Sequence, residues 1–418
     1  GELSDDGTIK YKNVDSCLML LPMLHGKQLV TVENLKSATG ELHPVQSALI
    51  ETGGSQCGFC TPGIVMSMFS LYKNINNPSR SEIDDSLTGN LCRCTGYKPI
   101  IEAAANSCVN ETKDHFTKSE LQTAKLLRTI SNESIQLQTK EQNYYQPISL
   151  REALELKNKY PDAIVINGAT DIALRITKRH ELLKEIIDIS RVEDFINYSE
   201  NENSVVIGTG ICLEEVKQKI EKDYPALYEM LSVFGSQQIR NLATLGGNLG
   251  TASPIGDTLP VLLAYNTKIE LQSVEGKREI SLDDYFVGYR KTLLKENELI
   301  VSITIQKLTD GVRVKSYKVS KRKDLDISTV SGGFRLELND KNEVKEIKLC
   351  FGGMAERTKR ATNTEQFLLH KKWERNTIEN AMIILEKEFI PISDARASKE
   401  FRTIAARNLL LKFYNETK

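Results

Sequence analysis

The chain has 418 residues, 40% of them hydrophobic, with 55 basic and 56 acidic side chains and a net charge of −1. That balance gives no support to a nucleic-acid or membrane-surface role, and no apolar run is long enough to span a bilayer. The length fits roughly two to four domains. Eight cysteines are too few for a disulfide scaffold and, with no signal-like apolar start, fit a reducing cytosol.

Residues 1–32 hold short β-like runs, Thr8–Tyr11 and Gln28–Val32. Cys17 follows the first of these, and Gly1 rather than Met opens the sequence, so a processed or fragmentary chain is expected. Residues 43–108 read as helical, with Val45, Ala48, Leu49 and Ile50 at helical spacing. Thr61-Pro62 reads as an N-cap with proline at the first helical position, launching Ile64–Tyr72. Ser79-Arg80-Ser81-Glu82 is a capping box, Gly89 is placed to end its helix, and Pro99 can open another over Ile100–Ser107. Residues 111–145 are polar and read as a linker, partly helical around Leu121–Ile130. Residues 146–305 are mixed, with β-branched strands at Ala163–Ile166 and Ser204–Ile207 and a helix over Leu213–Ile220. From 306 the strands lengthen, Val330–Leu338 and Val344–Phe351, and helices follow near Ile378–Lys387 and Phe401–Tyr414.

Four cysteines carry the chemistry. Cys57 and Cys60 sit in Gln56-Cys57-Gly58-Phe59-Cys60-Thr61-Pro62-Gly63, and Cys92 and Cys94 in Leu91-Cys92-Arg93-Cys94-Thr95-Gly96-Tyr97. Four thiolates in one small domain can hold one tetrahedral zinc or the two irons of an Fe–S cluster. Paired zinc ligands are usually two to four residues apart, and Cys92 and Cys94 are closer than that. The set therefore points to a [2Fe-2S] cluster and electron transfer, with a non-catalytic zinc module fused to a nucleotide-binding domain as the alternative. Cys108, Cys212 and Cys350 are isolated and read as small buried hydrophobes. The five histidines, His25, His43, His115, His180 and His370, form no cluster along the sequence and read as structural or surface residues.

Two loops of small residues stand out further on. Val165-Ile166-Asn167-Gly168-Ala169-Thr170-Asp171 lies between a strand and a helix, where backbone N–H groups can bind phosphate without a basic side chain. Ala243–Asp257 contains Gly246, Gly247 and Gly250, which permit close approach of a ligand, and Asn248, Thr251, Ser253 and Asp257, which add polar contacts. Neither loop fits the Rossmann or P-loop pattern. On spacing alone a dinucleotide site and plain tight turns are equally supported.

Taken together, the cysteine motifs, Ile239-Arg240-Asn241 running into Gly246-Gly247-Asn248, Ser253-Pro254-Ile255-Gly256-Asp257 and Gly288-Tyr289-Arg290-Lys291 resemble one family. It is the iron–sulfur/flavin subunit of the molybdenum hydroxylases, of the xanthine dehydrogenase type, and the resemblance runs essentially end to end. It implies an α+β chain. Residues 1–32 would be the remnant of a plant-type, β-grasp ferredoxin domain, and 33–110 a four-helix [2Fe-2S] domain. A linker, 111–145, would lead to an α+β FAD-binding domain of the vanillyl-alcohol-oxidase/PCMH type at 146–305, and an α+β flavoprotein domain would close the chain at 306–418. The resemblance also implies that Val165–Ile172 (Val165, Ile166, Asn167, Gly168, Ala169, Thr170, Asp171 and Ile172) grips the FAD pyrophosphate. Phe234, Thr244, Asp257, Ile300 and Lys318 would add further flavin contacts. Gln56 would touch a molybdopterin cofactor on a large partner subunit, and Lys321–Asp326 would cover the flavin face where NAD docks, although as bare sequence that segment is a solvated charge run. Cys17 would be the orphan ligand of a second cluster whose other three ligands precede Gly1. The implied role is electron transfer from molybdenum through [2Fe-2S] to FAD and NAD in purine oxidation, in a cytoplasmic dimer of heterodimers. No substrate-transforming residue is expected on this chain. An aldehyde, an N-heterocycle or carbon monoxide is the alternative substrate.

Overall fold

The computed structural model describes residues 1–109 and 114–418, and two units emerge from its internal packing, 1–133 with 235–242, and 134–234 with 243–418. The first unit opens with a small antiparallel pair, β1 (Glu2–Leu3) and β2 (Ile9–Lys10). The run Gln28–Val32, expected as a strand, forms none; a short 3₁₀ turn, Val32–Asn34, takes its end. Gln28 at the start of the run exchanges two hydrogen bonds with Gly1, its N–H donating to the Gly1 carbonyl at 2.9 Å and its carbonyl accepting from the Gly1 nitrogen at 2.7 Å, and the pairing does not extend into Leu29–Val32.

Four helices follow: α1 (Pro44–Glu51), α2 (Thr61–Asn74), α3 (Arg80–Leu87) and α4 (Lys98–Ser107). Local sequence explains their starts. His43 caps α1, its Nδ1 accepting from the Val45 N–H while Gln46 Oε1 accepts from the His43 N–H. Ser79 and Glu82 form the expected reciprocal box on α3, with the Ser79 N–H donating to Glu82 Oε2 at 2.6 Å. At α2 the cap is Cys60, one residue earlier than expected, and Thr61 is already helical. The segment 111–145, read as a linker, is folded wherever it is described. It contains α5 (His115–Thr129), which buries Phe116 and Ala124 in the core shared with Val45, Ile64, Met68, Phe69 and Ile100. Burial of a side chain the size of Phe116 contributes roughly 1.5–3 kcal/mol. Residues 110–113 lie outside the described residues.

Among the described residues the second unit contains three sheets of four or five strands and one two-stranded hairpin. Strands β3 (Ile135–Gln138), β4 (Asn143–Gln146), β5 (Ile164–Ile166) and β6 (Glu185–Asp188) run in the order β3-β4-β6-β5, with β4, β6 and β5 parallel. Helices α6 (Leu150–Lys159) and α7 (Ala173–Thr177) make the crossovers that parallel pairing requires. A five-stranded antiparallel sheet follows, built from β7 (Tyr198–Glu200), β8 (Ser204–Gly208), β9 (Lys268–Ser273), β10 (Gly276–Ser281) and, after the hairpin β11 (Phe286–Gly288) and β12 (Lys291–Thr292), β13 (Leu299–Gln306). Its order is β10-β9-β13-β8-β7. Between β8 and β9 come α8 (Leu213–Ile220), α9 (Pro225–Ser232), α10 (Gln237–Arg240), which belongs to the first unit, α11 (Leu245–Thr251) and α12 (Thr258–Ala264).

The third sheet is antiparallel, β14 (Val312–Val319), β15 (Val330–Leu338), β16 (Val344–Gly352) and β17 (Lys359–Arg360) in that order. Helices α13 (Leu282–Tyr285), α14 (Thr362–Leu368), α15 (Arg375–Glu388) and α16 (Lys399–Thr417) complete the chain. Phe334, Phe351, Trp373 and Phe413 interlock edge to face in the core of this region. Every residue of α12 is buried, and α12 lies against β15 so closely that a Cβ at Gly333 would meet the Pro260 carbonyl oxygen at 2.2 Å. No helix among the described residues is long and apolar enough to cross a membrane.

Candidate cofactor sites

The cysteine site belongs to the first unit. Cys57 lies in the loop after α1, Cys60 caps α2, and Cys92 and Cys94 lie in the loop between α3 and α4. Tyr97, at φ 68°, turns the chain into α4, and its hydroxyl accepts from the Cys92 N–H at 3.0 Å. The thiols interact as two pairs, Cys57 with Cys94 and Cys60 with Cys92, and charge on Cys57 is felt at Cys60. Within the pairs the acidities diverge. The Thr95 hydroxyl, 3.2 Å from Cys92 Sγ, and the N–H groups of Thr95 and Cys94 bring Cys92 down to about 7. The Phe59 N–H, helped by Cys94, pulls Cys57 down, while burial and then Cys92 push Cys60 up to about 11. Among the described residues no set of three or more His, Cys, Asp or Glu side chains stands in closed metal-holding geometry. The donor set itself, four sulfurs with backbone N–H groups aimed at them, is what a thiolate-bound cluster requires.

The remaining cysteines are dispersed. Cys17 is exposed on the 3₁₀ turn Ser16–Leu18. Cys108 and Cys350 are buried and Cys212 is half-buried. His43 is buried as well, its Nε2 2.9 Å from Asp114 Oδ2, so its role is to tie α1 to the start of α5.

The two small-residue loops both lie in the second unit, and the structure brings them onto a third that sequence reading passed over. After β5 the chain turns through Asn167, Gly168 and Ala169, the last at φ 56°, and Thr170–Ile172 lead into α7. A Cβ on Gly210 would lie 2.7 Å from Asn167 Nδ2, and one on Gly246 would lie 2.8 Å from the Thr209 carbonyl oxygen. Thr209-Gly210, just past β8, therefore stands between the loop of Asn167 and that of Gly246. Its signal was available in Gly208-Thr209-Gly210, a glycine-flanked turn ending a strand.

Thr244 caps α11, its Oγ1 accepting from the Gly247 N–H at 3.0 Å. Asn248 Oδ1 accepts from the Thr258 hydroxyl at 2.6 Å, and Gly250 sits in ordinary contact with Ile300. Thr251 ends α11, Ala252 takes a left-handed conformation at φ 47°, and Ser253 Oγ accepts from the Ile255 N–H. Lys318 on β14 reaches Asp257 Oδ2 at 2.8 Å and the Val233 carbonyl at 3.0 Å, next to the half-buried Phe234. The ion pair is nearly dry, with side-chain exposures of 5% and 8%. Two shielded polar atoms here have no partner among the described residues, Asn167 Nδ2 and Asp257 Oδ1. One donor and one acceptor left open in this way fit a polar ligand, since orphaned buried groups are costly.

Lys321–Asp326 is an exposed turn braced by Arg322 Nε on Asp326 at 2.9 Å, with Leu325 at φ 68°. Beside it lies a cavity of about 340 Å³ lined by Lys321, Leu325, Asp326, Thr329, Ala395 and Arg396 among others.

Comparison with known proteins converges on the same regions. Residues 31–105 match the [2Fe-2S] binding domain, 137–307 the FAD binding domain in molybdopterin dehydrogenase, and 315–417 the CO dehydrogenase flavoprotein C-terminal domain. The chain is 33% identical over 426 residues to xanthine dehydrogenase of Drosophila subobscura, covering 89% of this chain and 32% of that protein. It is 31% identical over 478 residues to xanthine dehydrogenase/oxidase of Gallus gallus, covering 97% and 35%. With xanthine dehydrogenase 1 of Arabidopsis thaliana the identity is 30%, covering 96% and 35%. The chain thus spans about a third of the length of these relatives. Among solved structures, carbon monoxide dehydrogenase from Hydrogenophaga pseudoflava aligns at TM-score 0.62 and 23% identity, over 66% of this chain and 96% of that one. Quinoline 2-oxidoreductase from Pseudomonas putida 86 aligns at 0.61 and 22%, over 67% and 99%. At those identities the likeness is one of fold.

Proposed function

Because the chain belongs to the molybdenum hydroxylase family and carries its [2Fe-2S] and FAD-binding domains in one sequence, we propose that it is the electron-transfer part of a xanthine dehydrogenase. When bound, its [2Fe-2S] cluster and FAD supply the redox chemistry that carries electrons from a molybdenum site on a large molybdopterin-binding partner to NAD. The observation that carries this reading is the meeting of two cysteine pairs from two separate loops, with N–H donors from Phe59, Cys94 and Thr95 on their sulfurs. Cys57, Cys60, Cys92 and Cys94 hold the cluster, and hydrogen bonds to sulfur are one of the levers that set its potential. Gln56 and Phe59, whose side chain is 95% exposed, form part of the surface that meets the partner. Cys17 serves a second cluster together with cysteines that this sequence does not contain.

In the second unit, the Val165–Ile172 turn presents backbone N–H groups to the FAD pyrophosphate, and Gly246 and Gly247, having no side chain, let the ligand approach the α11 backbone. Asn167 Nδ2 donates to the ligand and Asp257 Oδ1 accepts from it, which satisfies both orphaned atoms. Phe234, Ile300, Thr244, Asn248, Thr251 and Ser253 complete the contacts around it. Lys321–Asp326 and the adjoining cavity take NAD, with Lys321 and Arg396 as its cationic contacts. The domain limits that follow are 33–110 for the cluster, 146–305 for FAD and 306–418 for the closing domain, in a dimer of heterodimers. The likeness in fold to carbon monoxide and quinoline enzymes supports a second reading of the substrate, an electron-delivery unit shared among substrates and specified by the partner.

The test is chemical analysis of the purified chain together with identification of its co-purifying partner. Two irons and two inorganic sulfides at this site, lost in Cys57→Ser and retained in Cys350→Ser, are expected. Stoichiometric zinc without sulfide would overturn the reading.

A further inference from the structure

The sequence Gly235–Leu242, between Phe234 and Ala243 of the flavin-side unit, belongs to the helical unit instead. Its Ile239-Arg240-Asn241 motif takes no part in either cofactor site described above. What it does is set by three side chains. Gln238, 5% exposed, donates from Nε2 to Ser67 Oγ at 2.9 Å and to the Ser86 carbonyl at 3.0 Å. Ser67 Oγ also receives Asn90 Nδ2 at 2.7 Å and Asn13 Nδ2 at 3.3 Å, so three amides converge on one hydroxyl. Arg240, fully buried, places Nη2 on both oxygens of Asp85 at 2.6 and 2.8 Å. Asn241 Nδ2 donates to the Asn13 carbonyl and to Asn13 Oδ1, each at 2.9 Å.

These contacts reach both halves of the cysteine site from behind. Ser67 stands on α2, whose cap is Cys60. Asp85 and Ser86 stand on α3, which runs into Gly89-Asn90-Leu91-Cys92. A Cβ on Gly89 would lie 2.2 Å from Gln238 Oε1, so the turn into Cys92 is seated directly on that amide. Gln238 lies far from Ser67 and Ser86 in sequence, with separations of 171 and 152 residues. A buried amide tied at such range fixes geometry, because each bond it makes is costly to leave unmade.

We propose that Gln238, backed by Arg240, is a positioning residue for the cysteine loop. It holds the Gly89–Asn90 turn against Ser67 on α2, and so presents Cys92 and Cys94 to Cys60 and Cys57. The inference rests on the reading that those four cysteines hold the [2Fe-2S] cluster. Side chains that orient ligands in this way tune a metal site without touching the metal.

Gln238→Met in the full chain preserves volume and removes the hydrogen bonds. In metal-free protein, amide hydrogen exchange across residues 88–97 should accelerate about five- to thirtyfold, the equivalent of one or two lost hydrogen bonds, while α5 and the C-terminal helices keep wild-type rates. In reconstituted protein the reduced cluster should show a broadened, shifted electron paramagnetic resonance signal at unchanged FAD content. Ser67→Ala removes the same hub from the opposite side and should act in the same direction, which decides the matter if the Met variant does not fold. Wild-type exchange across residues 88–97 and a wild-type cluster signal in both variants would overturn the proposal. A wild-type chain that binds no cluster would instead refute the cofactor reading, and the exchange rates would still decide whether Gln238 positions the loop.

Discussion

Asp257 and Lys318 offer the sharpest separation of structural from binding roles in the flavin-side unit. The pair is 2.8 Å apart and nearly dry, at 5% and 8% side-chain exposure. Asp257 Oδ2 is used by Lys318, while Oδ1 has no partner among the described residues. Asp257→Ala leaves the ammonium with only the Val233 carbonyl. Breaking a buried pair from one side costs about 3–5 kcal/mol, which corresponds to a fall in melting temperature on the order of 6–20 °C. Lys318→Met with Asp257→Leu removes both charges. That double variant should recover most of the lost stability, since replacing a buried pair by apolar groups of similar volume is close to neutral. FAD affinity should behave differently. It should fall by about 1–3 kcal/mol, roughly 5- to 150-fold, in Asp257→Ala and remain low in the double variant, because Oδ1 is gone in both. The assay is calorimetric melting of the FAD-free chain beside fluorescence titration with FAD. Recovery of FAD affinity in the double variant, or an unchanged affinity in Asp257→Ala, would refute the assignment of Oδ1 to the ligand.

Two further outcomes follow from the packing. Burial alone would raise the Asp114 carboxyl, but His43, the Thr117 N–H and hydroxyl and Lys73 hold it well below the usual carboxylate range. A depressed carboxylate contributes stability above its unfolded value, about 3.9, and loses it as pH falls toward the folded one. Acid unfolding of the helical unit, followed by circular dichroism, should therefore steepen below about pH 4, and Asp114→Asn should flatten that limb while lowering stability at neutral pH. Gly333→Ala places a Cβ 2.2 Å from the Pro260 carbonyl oxygen and 2.5 Å from the Val261 nitrogen, both backbone atoms that cannot turn aside. It should destabilise by about 1–3 kcal/mol, whereas Gly250→Ala, in ordinary contact with Ile300 at 3.7 Å, should stay within about 0.5 kcal/mol. Equal melting temperatures for the two variants would contradict the close approach of α12 to β15.

Much of the local structure was legible without coordinates, because its causes are local. The Ser79–Glu82 box, proline at the start of α2 and α4, and the β-branched run of β8 act through neighbours a few residues away. The spacing of Cys57, Cys60, Cys92 and Cys94 likewise pointed to an Fe–S cluster over zinc, and residues 31–105 match a [2Fe-2S] binding domain. Other features depend on partners distant in sequence. Gln28–Val32 has strand composition, yet among the described residues only Gln28 is paired, with Gly1. The polar stretch read as a linker becomes α5 because Phe116 finds an apolar pocket and Asp114 finds His43, 71 residues away. Thr209-Gly210 comes to stand between the loops of Asn167 and Gly246 only when β8 sets it there, and Asp257 meets Lys318 across 61 residues. Gly235–Leu242 reads as part of its flanking domain until Arg240 is seen buried on Asp85. Composition and periodicity report what a residue can do with its neighbours. Which buried donor meets which acceptor is decided by chain topology, since each polar group taken out of water must find a partner wherever the fold supplies one.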